Sequence, residues 1–158
     1  MYLTFGLADE TYGVDILRVQ EIVGMMPLTR VPRLPDEVAG VVNLRGRVVP
    51  VIDLRSALGI PAAELTERSC IVIVRRDGGD AGRVTGLVVD EVSDVVHLGD
   101  DAVEETPEFG AAVDTSFITG IGRVHDRIVL LLDVDSVLMN DHVEDLSAVE
   151  VVASETVQ

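Results

Sequence analysis

The chain has 158 residues, 47% of them apolar and only 3% aromatic, and 28 acids against 12 bases leave a formal net charge of −16. Such a charge excludes a surface built to hold nucleic acid, and no run approaches the roughly 18 apolar residues of a membrane-spanning helix. Cys70 is the only cysteine, so neither an intrachain disulfide nor a cysteine zinc site can form.

Leu3-Thr4-Phe5-Gly6-Leu7 alternates, turns at Asp9-Glu10, and alternates again over Tyr12-Gly13-Val14-Asp15-Ile16. This pattern predicts a hairpin. No basic n-region or cleavage site precedes it, so no signal peptide is expected. Leu17 to Val23 fits a short helix or a strand. Met25 to Val38 carries Pro27, Pro32 and Pro35 and reads as an irregular connection.

The clearest hairpin follows. Gly40-Val41-Val42-Asn43-Leu44 turns at Arg45-Gly46 and returns as Arg47 to Leu54. Pro50 in the returning strand predicts an edge or a bulge. The second half opens with the apolar run Cys70 to Val74. A charged, Gly-rich turn over Arg75 to Asp80 precedes strands from Gly86 to Val89 and from Val92 to Val96. Asp100 to Thr115 reads as an acidic loop or short helix. Phe117 to Leu132 is a hairpin turning near His125-Asp126, Ser136 to Met139 begins a closing helix, and residues past about 141 form an acidic helix or tail.

The halves resemble each other. A shift of 80 residues superimposes Gly40 on Gly120, Arg47 on Arg127, Asp53 on Asp133 and Ser56 on Ser136. A shift of 73 superimposes Gly13 on Gly86, Val19 on Val92 and Ile22 on Val95. Two similar β units follow, roughly 2–68 and 69–140, with strand exchange between them possible. A sheet this small hides its edges by curling into a barrel. Two such barrels should pack together and leave a groove for a partner helix.

Catalytic chemistry is sparse. Without lysine there is no P-loop lysine or Schiff base, and there is no G-x-S-x-G elbow. Cys70 lies in an apolar run and reads as a buried structural thiol. His97, His125 and His142 lack metal-ligand spacing. Asp53 and Asp133 occupy equivalent places before short helices, where capping is the simplest role. No enzyme activity, cofactor or metal is expected. An enzyme using clustered carboxylates remains the distant rival.

Four segments resemble the CheW family: Tyr12 to Ile22 (YGVDILRVQEI), Gly40 to Gly46 (GVVNLRG), Val49 to Arg55 (VPVIDLR) and Gly86 to Val92 (GLVVDEV). The likeness spans about residues 2 to 140. It implies an all-β fold of two side-by-side SH3-like five-stranded barrels over 1–140. It also implies an adaptor joining the cytoplasmic tips of methyl-accepting chemoreceptors to the regulatory domain of a CheA-type histidine kinase, held at the inner face of the membrane through receptor arrays. On the matching positions, Val19, Glu21 and Arg45 are receptor-facing and groove-forming, Val92 and Val95 add apolar surface, and Glu21 and Arg45 can pair at the rim. Gly40, Asn43, Gly46 and Gly86 are turn and motif positions. A CheW-like regulatory domain detached from a CheA kinase is the alternative. The excess of acid and the absence of lysine fit a high-salt cytoplasm or, more plainly, a high-GC genome.

Overall fold

The computed structural model describes residues 1–35, 37–75, 83–105 and 116–138. The expected Gly-rich turn after Arg75, most of the acidic loop, and the tail lie outside these residues. Eleven strands are described, in chain order: β1 Tyr2–Leu7, β2 Glu10–Asp15, β3 Val19–Gly24, β4 Val38–Leu44, β5 Arg47–Asp53, β6 Cys70–Arg75, β7 Val84–Val89, β8 Glu91–Val96, β9 Val103–Glu104, β10 Ile118–Val124 and β11 Arg127–Leu132. Short helices α1 (Leu54–Ala57) and α2 (Val134–Leu138) follow β5 and β11, and a 3₁₀ turn, Ile16–Arg18, leads into β3. The ambiguous segment from Leu17 to Val23 thus divides between a helical turn and a strand.

The fold is all-β. One sheet runs β8-β1-β2-β11-β10-β9 and the other β3-β6-β7-β5-β4. The segments interleave: β1 and β2 sit with β8 to β11, while β6 and β7 sit with β3 to β5. The first hairpin, β1–β2, thus completes the sheet of the later strands, and β6–β7 completes that of the earlier ones. Matched by the shifts of 73 and 80, the two sheets have the same strand order, and among the described residues β9 is the one addition. Each has one parallel pair, β2 with β11 and β7 with β5. Each also has a register shift at the same place, Val38/Gly40 and Ile118/Gly120.

The repeat is written in local chemistry too. Asp53 Oδ1 accepts from Arg55 N, and Asp133 Oδ1 from Asp135 N and Ser136 N. Both carboxylates also accept from a serine hydroxyl, Ser56 and Ser136. These are the expected caps, satisfying backbone donors that a helix start leaves open. The turns match as well: Arg45 and Gly46 have φ of 51° and 85°, His125 and Asp126 of 49° and 64°. Such paired positive values mark two-residue hairpin turns. Pro50 stands where β5 is locally an edge on its β7 side. β5 lies inside its sheet, and Pro50 falls one residue before the first pair with β7, Val51 to Gly86.

The core has two parts. The larger lies between the sheets and takes Leu3, Phe5, Leu7, Tyr12 and Val14 from one, Ile52, Val72, Val74, Leu87 and Val89 from the other, and Leu54, Val134, Val137 and Leu138 from the helices. The smaller fills the inside of the five-stranded sheet with Val42, Leu44, Val49, Val51, Ile71, Ile73, Val84 and Val88. β6 feeds both, odd residues to one and even to the other. This is why Cys70 to Val74 reads as an unbroken apolar run. The seam between the barrels, expected as an open groove, is thus filled by the protein's own side chains. Each sheet alone hides too little surface, and the shared layer supplies the rest.

Candidate functional site

Arg45 stands in the β4–β5 turn, held there by Asn43, whose Oδ1 accepts from Gly46 N at 2.8 Å. From this turn its guanidinium reaches across to β3. Nη1 lies 3.0 Å and Nη2 2.5 Å from Glu21 Oε1, and Nη2 also bonds Oε2. β3 and β4 are the two ends of their sheet, so this forked pair joins the ends of the curled barrel. Its side chains are 68% and 25% exposed. It therefore adds about 0–1 kcal/mol to stability, and its main effect is a fixed charge arrangement at the surface.

The apolar candidates lie on the two edge strands. Val19 pairs with Val74, and Val92 and Val95 pair with Phe5 and Leu3 across a bulge between Thr4 and Phe5. That bulge turns Val92 and Val95 to the same face, although an odd spacing would otherwise separate them. Leu3, Phe5 and Val74 belong to the shared core, so these valines stand at its border. Val19 and Val92 are half-buried against it, and Val95 is 44% exposed. Sequence reading passed over Ile22 as a contact. It pairs with Val72 and is 43% exposed, matching Val95 in the other sheet. The signal was present in the shift of 73.

Cys70 connects the two edges. It pairs with Gly24 at the end of β3, and burial pushes its thiol up, with the nearby Val92 backbone opposing. It is half-buried rather than fully enclosed. Gly40, Gly86 and Gly46 are backbone positions. A Cβ on Gly40, at φ +144°, would stand 2.4 Å from the Thr29 carbonyl oxygen, and one on Gly86 would stand 2.6 Å from Ile71 Cγ2. Gly46 supplies the turn.

The chain matches the CheW-like domain over residues 1–142. It belongs to the CheW family. It is 38% identical over 152 residues to the chemotaxis protein CheW of Klebsiella aerogenes, covering 96% of this chain and 87% of that one. It is 36% identical over 142 residues to that of Rhizobium meliloti, covering 90% and 89%. The crystal structure of the scaffolding protein TtCheW from Thermoanaerobacter tengcongensis superimposes with a TM-score of 0.79 at 32% identity, covering 89% of this chain and 93% of that one. The CheW fold of two SH3-like barrels is therefore the fold of this chain. Among the described residues no group of three or more metal-binding side chains occurs, and no helix there is long and apolar enough to cross a membrane.

Proposed function

We propose that this chain is a chemotaxis adaptor that bridges chemoreceptor cytoplasmic tips to the regulatory domain of a CheA-type kinase, at the cytoplasmic face of a receptor array. The observation carrying this reading is the border of the shared core. Ile22 and Val95 are exposed there at matching places on β3 and β8, and the Glu21–Arg45 pair stands beside Ile22. A helical receptor tip presents apolar ridges flanked by charge. Val19, Ile22, Val92 and Val95 would bury against the ridge and supply most of the affinity. Glu21 and Arg45 would set orientation and partner choice. The filled seam moves this surface from a groove to a rim.

The test is a binding titration with receptor-tip and kinase regulatory fragments. Glu21→Arg and Arg45→Ala each weaken assembly about tenfold, while thermal unfolding shifts little. Unchanged affinity in both variants removes these residues from the contact. We further read the acidic, lysine-free composition as adaptation to a salty cytoplasm, where counterions screen the repulsion among 28 acids.

A further inference from the structure

The repeat exposes one place where the barrels differ. The inside of the five-stranded barrel is closed by Leu44, Ile73 and Val84, and the Glu21–Arg45 pair joins the strands beside them. The matching positions in the other barrel are Val124, Thr4 and Thr11, with Asp94 in place of Glu21 and His125 in place of Arg45. The β1 match follows from register, since Gly6 pairs with Thr11 as Arg75 pairs with Val84. These smaller, more polar residues leave a cavity of about 180 Å³ lined by Thr4, Thr11, Asp94, His125, Arg127 and Val129, among others. Thr4 is already satisfied, since its Oγ1 bonds the Asp94 backbone at both N and O. No ion pair is found for the Asp94 carboxylate among the described residues, although His125 and Arg127 line the same space.

We propose that this mouth receives an arginine side chain from a partner protein, which takes the place that Arg45 fills in the other barrel. Charge favours that occupant: a guanidinium approaches a chain of net charge −16 and meets a carboxylate that, among the described residues, is ion-paired with neither Arg127 nor any other arginine. Shape favours it as well. The apolar stem packs on Val96, Val124 and Val129, which share the lining, and the planar fork meets Asp94.

The probe is a blocked Gly-Arg-Gly peptide titrated into the isotope-labelled full chain and followed by NMR. The control peptide carries citrulline, the neutral analogue of arginine. Saturable shifts are expected at the amides of Thr4, Thr11, Ser93 and Asp94, at least fivefold weaker with citrulline. They are lost in Asp94→Asn, whose backbone bonds to Thr4 remain, and kept in Asp101→Asn. A double variant, Thr11→Val with Val124→Leu, rebuilds the packing of the closed barrel and should also lose them. Equal shifts with citrulline, undiminished binding in folded Asp94→Asn or in the filled variant, or no localised shifts at all overturns the proposal. Because the probe is neither kinase nor receptor, that failure leaves the adaptor reading standing.

Discussion

Asp53 and Asp133 show how one residue carries structure twice over. Each side chain accepts from the backbone of the helix it precedes, and each backbone N–H donates to a matching carbonyl, Glu37 and Phe117. Substitution by alanine removes only the side-chain part. Asp53→Ala and Asp133→Ala should each lower the unfolding free energy by about 1 kcal/mol in urea titrations, with partner affinity retained. A loss of affinity at unchanged stability would assign these acids to the contact instead. Their capping role was legible in the sequence, because an acid three residues before a serine recurs at the same repeat position. The pairing of Glu21 with Arg45 was legible only through the family motif, since 24 residues and a change of strand separate them. Ile22 could be reached only through its match with Val95 at the shift of 73. Alternation alone cannot tell a buried branched residue from one left bare at a sheet edge.

At the scale of elements, the exchange of hairpins needs two crossings between sheets, and an ion pair holds each. Arg18, in the turn between β2 and β3, binds Asp135 on α2 at 2.9 and 2.5 Å and also donates to the Arg75 carbonyl. Asp90, between β7 and β8, binds Arg55 on α1 at 2.9 and 2.5 Å and accepts from Ala8 N. Each crossing is thus tied to the helix that follows the sheet it leaves, with the signs of charge reversed between the two copies. The Arg55 guanidinium holds the Asp90 carboxyl below its ordinary value, with partial burial opposing it and Ala8 N assisting. A carboxyl depressed in the folded state stabilises fully above its unfolded pKa, near 4, and loses that stabilisation as pH falls through the lower folded value. The urea midpoint of the wild type should therefore drop more steeply below about pH 4 than that of Asp90→Asn. Parallel curves would show that the pair contributes nothing to folding. Strands and turns were readable in the chain because period-two alternation and the Arg45-Gly46 turn are local. The exchange itself was left open, since the shifts of 73 and 80 match residues in kind without saying which hairpin joins which sheet.

For the whole molecule, the layer between the sheets governs what the surface can do. Leu3, Phe5 and Leu7 meet Val72, Val74, Leu87 and Val89 there, so the barrels share one core and their own side chains fill the seam. The expectation was that two barrels with modest cores pack on each other and leave a groove between them. The sequence could not show that alternate residues of β1 and β6 would be spent on a common one. The surface proposed for the receptor tip is the rim on β3 and β8. The same molecule carries 28 acids against 12 arginines, and its self-repulsion should weaken as counterions accumulate. Thermal midpoints measured from dilute buffer to molar salt should rise, and a flat response would return the composition to codon usage. The most direct measurement is co-sedimentation of a CheA-type regulatory fragment with membranes bearing chemoreceptor tips. The kinase fragment should pellet with receptor only when this chain is present, and much less with the Glu21→Arg variant. Equal pelleting with and without the chain would contradict its role as the bridge.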